Sequence, residues 1–587
     1  MKFKKSLVLA SASMMFASSF ATASAAEGET VEQMGDDSRI QLVNEESDEV
    51  ELFQVQSDEE KAAAFLEAHD AVDIPENLEL VSEETDDLGM SHLRFQQVVN
   101  GISVHGQDLI VHFSEEKEIT SANGRYLQEL DGQKLETSAD VTEEQAFQTV
   151  LAAVEAPAEL EDSSVELIYY PLDNDIHLAY KVNVNYMGED PKDYYAFVDA
   201  QSGEILDKYN TLHSLEEYVE GTKEAEAVKE ASSGEEKTDA SAADNSVSIQ
   251  VSPEELDSSN YKRSSGAGVG VLGENRNMEI SHRAGDDRGR TFELLDFTRP
   301  DLTGIFTYDA QHQGSLPGVP YANENASFKD ERSGAGVDAH YNSTIVYDYF
   351  LEEHGRNSID DNGFEIVSSV HYGENFNNAF WNGSQMTYGD GDGEFFIPLS
   401  AGLDVAAHEI THGVTTNTAN LVYRFQPGAV NEAMSDIFGV LVDTESWDIG
   451  DNVMAPAMKE EGRTALRSLE EPGKFQVNED YWEYGNGDGR YPSHMDEYYD
   501  LPRNLDNGGV HTNSSIINHA AYLIGTETSR DVLGQVTYRA LTVYLTSQSD
   551  FSDTRYAFIQ SAVDIYGEDS EEVSAVEAGF DGVGIYE

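Results

Sequence analysis

Residues 404–443 read DVAAHEITHGVTTNTANLVYRFQPGAVNEAMSDIFGVLVD, and the pattern H-E-x-x-H near their start organises the interpretation of the whole chain. His408 and His412 are four residues apart, so a helix places both imidazoles on one face, within reach of a single metal ion. Glu409 sits beside them without having to bind the metal. The bare pattern also arises by chance on surface helices. Here its neighbours are apolar on most sides: Leu403, Val405, Ala406, Ala407, Ile410 and Val414.

The following segment, 431–443, supplies further acids. Its apolar residues recur at helical spacing, which indicates a helix packed into a core: Ala433, Met434, Ile437, Phe438, Leu441 and Val442. Glu432 and Asp436 are again four residues apart, so one can ligate zinc while the other accepts the free ring N–H of a ligating histidine. Catalytic zinc needs three protein ligands and an open position. The spacing therefore predicts a zinc hydrolase.

The composition is strongly acidic. The chain has 587 residues, with 112 Asp and Glu against 35 Lys and Arg, a formal net charge of -77. Such a charge argues against nucleic acids and anionic membranes as partners, since both bind basic patches. It suggests a salty environment, although acidic tails or disordered segments are an alternative. A hydrophobic fraction of 39% is ample for several cores.

The first 25 residues have the pattern of a secretory signal. Lys2, Lys4 and Lys5 precede an apolar run from Leu7 to Phe20, and Ala23-Ser24-Ala25 supplies a cleavage pattern. We therefore expect a secreted, extracellular protein. No later stretch reaches about 18 apolar residues, so we expect no membrane anchor. Because the chain has no cysteine, bound ions are expected to replace disulfides as stabilising elements.

Composition also predicts the domain boundaries. A signal peptide at 1–25 precedes a propeptide at 26–210, made of two small α+β modules at about 60–115 and 135–208. Its lead-in from Glu27 to about Glu59 is polar and is expected to be flexible. Residues 211–262, rich in Glu, Ala, Ser, Lys and Asp, are expected to form an acidic linker that contains the maturation site. A β-rich lobe at 263–407 and a helical lobe at 408–587 follow.

Several longer stretches resemble the secreted neutral metallopeptidases of the thermolysin family. They are NNAFWNGSQMTYGDGDG at 377–393, HEITHG at 408–413, NEAMSDIFG at 431–439, LRS at 466–468 and DNGGVHTNSSIINHAAYL at 506–523. The resemblance covers roughly residues 265–587. RFQQVVNGISVHG at 94–106 and YYAFVDAQSGEILDKYN at 194–210 are similar to the propeptide modules of that family. The implied fold is multidomain α+β, in which an α+β propeptide precedes a thermolysin-like unit with a β-rich N-terminal lobe and an α-helical C-terminal lobe.

The resemblance implies a catalytic role for each matching residue. His408, His412 and Glu432 are the implied ligands of one zinc ion, and Glu409 is the implied general base toward the water that the zinc activates. Asp436 matches the acid that orients the first histidine, and Asn431 matches a position around the zinc. His511 and Tyr423 match the stabilisers of the oxyanion, with Asp506 orienting His511. Without the resemblance, a lone histidine such as His511 is more often structural.

The resemblance also implies how a substrate is held. Asn378 and the carbonyl of Ala379 match the pair that holds the substrate backbone, and Arg467 matches the clamp on the carbonyl beyond the scissile bond. Six apolar residues match the pocket after that bond, and cleavage before Leu, Phe, Ile or Val is implied: Phe396, Leu399, Val405, Ile449, Val453 and Leu466. One or two of them are equally consistent with plain core.

Calcium ligands match the family less completely. Asp404, Asp443 and Asp451 stand at matching acidic positions and predict at least one structural Ca²⁺. The loop after Asp443 is shorter than in calcium-rich members, so a paired second ion is not expected there. Another calcium loop of the family has Asn323, Asn325 and Ser327 in place of acids, and that site is not carried over.

These observations predict a zymogen of a secreted, salt-tolerant zinc endopeptidase, monomeric when mature, whose partners are protein and peptide substrates and its own propeptide. Two alternatives remain. A zinc hydrolase of another bond is disfavoured because Asn378 and Arg467 suit a peptide backbone. A secreted binding protein with an inactive metal site requires a lost residue, and every ligand, base and oxyanion position is present.

Overall fold

The structure is a computed structural model that describes residues 38–43, 57–69, 71–72, 75–158, 160–172, 175–188, 190–215, 252–284 and 291–586. The predicted signal peptide and most of the predicted linker, from 216 to 251, lie outside the described residues. None of the helices in these ranges is both long and apolar enough to cross a membrane.

The N-terminal unit, residues 38–210, is built on a nine-stranded sheet with two helices. Its strands are β1 Arg39–Val43, β2 Leu78–Thr85, β3 Ser91–Val99, β4 Ile102–Phe113, β5 Ile119–Arg125, β6 Asp162–Leu172, β7 Asp175–Tyr186, β8 Lys192–Asp199 and β9 Ile205–Asn210, and its helices are α1 Asp58–Ala68 and α2 Glu143–Ala153. Strands β1 to β5 and strands β6 to β9 form two halves, joined where Val104 of β4 pairs in parallel with Tyr169 of β6. Each half has its own apolar core.

Part of the predicted flexible lead-in is instead a strand. β1 pairs antiparallel with β5, and its side chains Ile40 and Leu42 are buried. Alternating apolar residues explain this, because one face of a short strand can then cover a core. The expectation of a flexible segment up to about residue 59 is therefore wrong at 39–43.

The described residues after 210, namely 211–215, 252–284 and 291–586, form what we call the C-terminal half, which begins with small sheets. Its strands are β10 His213–Ser214, β11 Tyr261–Val269, β12 Asn275–Arg283, β13 Phe292–Glu293, β14 Leu295–Asp296, β15 Ile305–Asp309, β16 Val319–Pro320, β17 Ala322–Asn323, β18 Ser327–Phe328, β19 Ile366–Val370, β20 Ala379–Trp381 and β21 Met386–Tyr388. One sheet has the order β17-β13-β12-β11-β18, and another has the order β10-β20-β21-β19-β15-β14, with β16 beside β15. The long helix α3, Ser333–His354, packs against the second sheet.

In the remainder the regular elements are helices, apart from β22 Asp448–Ile449 and β23 Arg467–Ser468, which pair with each other. Its helices are α4 Leu403–Thr416, α5 Phe425–Val442, α6 Pro456–Glu461, α7 Asp506–Glu527, α8 Arg530–Arg539, α9 Phe551–Tyr566 and α10 Glu571–Gly582. Helix α5 packs between α4 and α7, and all three contribute to one large core with the β-rich part. Helix α4 spans the boundary predicted between residues 407 and 408.

Paired charges connect the N-terminal unit to the C-terminal half. Arg39 and Arg125 form ion pairs with Asp550 and Asp553 at the start of α9, with Arg125 Nη2 3.1 Å from Asp553 Oδ2. On another face, the buried carboxylate of Asp207 accepts bonds from Arg424 and from Arg503 Nη1, the latter at 2.7 Å. The N-terminal unit and the C-terminal half are thus held together by specific, partly buried contacts.

Candidate active site

Two buried helices bring three possible metal ligands together. Nε2 of His408 and Nε2 of His412, one turn apart on α4, are 3.0 Å from each other. Both lie within 3.5 Å of the carboxylate of Glu432 on α5, whose Oε2 has no hydrogen-bond partner among the described residues. Nitrogen and carboxylate atoms converging on one point in a dry interior suit the ligand set of zinc. The predicted ligands therefore meet and fit the metal.

Neighbouring side chains hold both histidines in place. Nδ1 of His408 is 2.9 Å from Asp436 Oδ1, and Nδ1 of His412 is 2.9 Å from Asn431 Oδ1. These contacts leave Nε2 of each ring facing the common point, as metal-binding histidines require. Burial raises the pKa of Asp436, but Arg467 and His408 outweigh it and hold the pKa of that carboxyl well below its usual range.

Glu409 has no evident structural role among the described residues. Its side chain is fully buried, and neither carboxylate oxygen has a hydrogen-bond partner within the described part of the chain. Burial, followed by the nearby charge of Glu432, raises its pKa. A buried acid without partners is costly, and such groups concentrate at functional sites. The position suits an acceptor for a proton from water.

His511, Tyr423 and Asp506 form a connected group beside the ligands. His511 Nδ1 is 2.6 Å from Asp506 Oδ1, and its Nε2 is 3.2 Å from the Tyr423 hydroxyl, which donates to Glu432. Burial disfavours the charged imidazole, but Glu432 and Asp506 outweigh this and raise the pKa of His511 to about 10. At neutral pH both ring nitrogens then carry protons, which suits a donor toward an oxyanion.

An unusual turn makes the His511 contact possible. Residues Asp506 to Gly509 have positive φ angles, between 44° and 94°, at the start of α7. A Cβ at Gly508 would lie 2.2 Å from the Phe425 ring, so glycine is required there. The turn brings the Asp506 carboxylate back onto the N–H of His511 and Thr512.

A segment that the sequence predicts to be linker lies beside the possible metal ligands. His213 and Ser214 form β10, which pairs antiparallel with β20. The His213 ring stacks on His412 with centroids 4.5 Å apart, and Leu215 is fully buried in the large core. Sequence reasoning missed these residues. The available signal was Leu215 itself, a bulky apolar residue at the edge of an acidic tract.

Two of the predicted substrate residues, Ala379 and Arg467, contact this segment. The Ala379 carbonyl accepts a bond from the Leu215 N–H at 3.0 Å, while Asn378 Oδ1 accepts from the N–H of Ala379. Arg467 bonds both oxygens of Asp436 at 2.8 Å and directs Nη1 to the Leu215 carbonyl at 2.9 Å. The six predicted pocket residues are all buried in the same core cluster as Leu215: Phe396, Leu399, Val405, Ile449, Val453 and Leu466.

The three predicted calcium ligands lie near one another but are less tightly grouped. Burial, and then repulsion from Asp443 and Asp451, raises the pKa of Asp404 to about 7. Burial likewise raises the pKa of Asp443 and of Asp451. Mutual repulsion of this kind is relieved by a cation. In the described ranges, only His408–His412–Glu432 and His312–His371–Asp390 bring three such ligand atoms within 4.8 Å of one another.

Family models match almost the whole described chain. Residues 265–416 match the thermolysin metallopeptidase catalytic domain, and residues 419–585 match the thermolysin metallopeptidase alpha-helical domain. Residues 76–126 match the fungalysin/thermolysin propeptide motif, and residues 140–209 match a peptidase propeptide and YPEB domain.

Curated relatives agree with these matches. A thermolysin from Alicyclobacillus acidocaldarius subsp. acidocaldarius is 38% identical over 536 residues, covering 87% of this chain and 86% of the relative. A bacillolysin from Brevibacillus brevis is 37% identical over 532 residues, with the same coverage of each. Among solved structures, the precursor of protealysin, a metalloproteinase from Serratia proteamaculans, is 33% identical with a TM-score of 0.42, covering 48% of this chain and 87% of that one. The predicted family, architecture and enzyme class are confirmed, and the chain belongs to the thermolysin family of metallopeptidases, with propeptide domains ahead of its catalytic domain.

Proposed function

We propose that this chain is the precursor of a secreted zinc endopeptidase that cleaves on the N-terminal side of bulky apolar residues. The observation that carries the proposal is the buried Glu409 carboxylate, unpartnered among the described residues, beside the converging atoms of His408, His412 and Glu432. The proposed precursor retains the predicted order of signal peptide, propeptide, acidic linker and two catalytic lobes.

His408, His412 and Glu432 would hold the zinc, which when bound supplies a Lewis acid and makes water a better nucleophile. Glu409 takes a proton from the attacking water and passes it to the leaving amine. His511, held by Asp506, and the Tyr423 hydroxyl donate to the oxygen that becomes negative. Arg467 fixes the next carbonyl of the substrate, and the edge of β20 aligns its backbone.

The proposed specificity comes from the apolar pocket predicted after the scissile bond, whose six residues belong to the same core cluster as the buried Leu215. Replacing leucine by glycine after the scissile bond of a test peptide should lower kcat/KM roughly 10- to 150-fold, since burying a leucine side chain stabilises by about 1.5–3 kcal/mol. The measurement is a panel of quenched fluorescent peptides that differ at this one position, with cleavage sites read by mass spectrometry. Equal rates for leucine and glycine would contradict the assigned pocket.

The same panel separates the two alternatives. A hydrolase of another bond would leave every peptide intact while retaining one zinc per chain, and an inactive binding protein would bind peptides without cutting them. Arg467, whose Nη1 donates to the Leu215 carbonyl, favours peptide hydrolysis.

We also propose a structural Ca²⁺ held by Asp404, Asp443 and Asp451. The buried position of Asp404 and the mutual repulsion of the three acids support it, and hard oxygen ligands suit calcium. The ion would stabilise the fold next to α4 and α5 in a chain that has no disulfide.

The charge of -77 motivates a prediction about salt. The melting temperature of the mature enzyme should rise from dilute buffer to about 1 M NaCl at saturating Ca²⁺, since the Debye length falls to about 3 Å and surface repulsion is screened. Differential scanning calorimetry on mature protein checks this. A melting temperature that stays level or falls would mean that the acidic residues serve the precursor or solubility, and not salt adaptation of the mature enzyme.

A further inference from the structure

We infer that the Ser214–Leu215 peptide bond is the first bond that this chain cuts in itself, which rests on the proposed function. The segment around that bond is bound as an extended strand. His213 pairs with Trp381 and Ser214 with Phe380 in an antiparallel register, and the Leu215 N–H donates to the Ala379 carbonyl at 3.0 Å. Adding a strand to an open sheet edge is a general mode of peptide recognition.

The proposed catalytic and substrate-binding residues contact the backbone on both sides of the Ser214–Leu215 bond. His511 Nε2 donates to the Ser214 carbonyl at 2.7 Å, which is the carbonyl that hydrolysis would attack. Arg467 Nη1 donates to the Leu215 carbonyl, one residue further along, at 2.9 Å. Glu409 lies near the backbone of Trp381, the residue that pairs with His213. The Ser214–Leu215 bond therefore lies beside the proposed base, the proposed oxyanion donor and the proposed clamp at the same time.

Side chains fix the same register. Leu215 is 0% exposed and belongs to the apolar cluster that contains the six pocket residues. On the other side of the bond, the His213 ring stacks on His412 and meets the edge of the Tyr423 ring at 4.4 Å. A shift by one residue in either direction would take the leucine out of the apolar pocket, either by placing Ser214 there or by moving Leu215 to the metal ligands.

The folded N-terminal unit holds the segment in this place. Asn507 Nδ2 donates to the Asn210 carbonyl at 2.8 Å, and Arg424 and Arg503 bind Asp207. The anchored residues, Asp207 and Asn210, lie only a few positions before the Ser214–Leu215 bond and belong to the same chain as the proposed catalytic residues. The cut is therefore intramolecular, and its rate does not depend on protein concentration.

The reaction is an ordinary hydrolysis. The oxygen of one water molecule bonds to the Ser214 carbonyl carbon, the C–N bond breaks, and the Leu215 nitrogen receives a proton. The N-terminal product ends in a carboxylate at Ser214. The catalytic product begins at Leu215 and keeps the acidic stretch that starts LEEYVEGTKEAEAVKE, so that stretch is removed only by a later cut.

The test follows full-length precursor with zinc, sampled early and identified by intact mass and N-terminal sequencing. The first fragments are expected to end at Ser214 and begin at Leu215, with the same first-order rate over a tenfold dilution. A first cut elsewhere, with peptide hydrolysis intact, would overturn this inference and leave the proposed function standing. A rate proportional to concentration would overturn the intramolecular cut. Failure to cut either the precursor or any test peptide would overturn the proposed function as well.

Two variants and a binding measurement complete the test. Leu215→Asp should abolish the cut after Ser214, whereas Leu215→Phe should retain it, because only the second side chain fits an apolar pocket. In metal-free precursor carrying Glu409→Gln, hydrogen exchange should show protection of residues 212–215, and adding Leu215→Asp should remove that protection while leaving the rest of the chain unchanged. Rapid exchange of 212–215 in the folded Glu409→Gln protein would also overturn the inference.

Discussion

Replacing Glu409 by glutamine should lower kcat/KM of the mature enzyme by about 10²- to 10⁴-fold, the usual range for losing a general base. The substitution conserves shape and removes only the proton acceptor. No hydrogen bond from the described residues to the Glu409 oxygens is lost, and the ligands His408, His412 and Glu432 are untouched. Zinc content and melting temperature should therefore match the unmodified protein, while the precursor stays uncut.

The measurement pairs hydrolysis of a fluorescent peptide with metal content by mass spectrometry, using variant protein freed of its propeptide by added active enzyme. Glu461→Gln, an exposed residue at the end of α6, is the matched control and should be fully active. Full activity in Glu409→Gln would refute the base assignment, and loss of zinc would mean that the carboxylate helps to bind the metal.

Replacing His511 by alanine should lower kcat about 10²- to 10³-fold with KM little changed, because an oxyanion donor acts mainly in the transition state. His511 is poised for this by Asp506, and its Nε2 already meets the Ser214 carbonyl at 2.7 Å. The raised pKa of about 10 keeps it charged through neutral pH.

The readout is the separation of kcat from KM for the variant, with His494→Ala as control, a partly exposed histidine that belongs to neither group of possible metal ligands. Asp506→Asn should lower kcat in the same direction by weakening the hold on the imidazole. A rise in KM alone would instead assign His511 to substrate binding.

Local periodicity predicted the helices of the metal cluster well. The four-residue spacings placed His408 and His412 on one helix and Glu432 and Asp436 on the next, and both helices exist as α4 and α5. Spacing succeeds here because these residues lie within single turns. Their roles, like those of the pocket residues, stay predictions.

Local periodicity could not predict contacts between distant parts of the chain. Leu215 and Arg467 are separated by 252 positions, and no periodic pattern reports a hydrogen bond over that distance. The turn with positive φ angles from Asp506 to Gly509 aims a carboxylate at His511, and it places Gly508 so close to the ring of the distant Phe425 that a Cβ would not fit. Only the family resemblance identified His511. Strand β1 was missed because five residues in a polar stretch give too short an alternation to separate from noise.

The ion pairs of Arg39 and Arg125 with Asp550 and Asp553 join a cationic patch on the N-terminal unit to an anionic one on α9. The rest of the surface on both sides of this interface is strongly acidic, because the chain has a formal net charge of -77. In dilute buffer the long-range repulsion between the two acidic parts opposes their encounter, whereas concentrated salt screens it and affects close, partly buried pairs much less. A propeptide that has been cut free would therefore return to the C-terminal half more readily in brine than in dilute buffer.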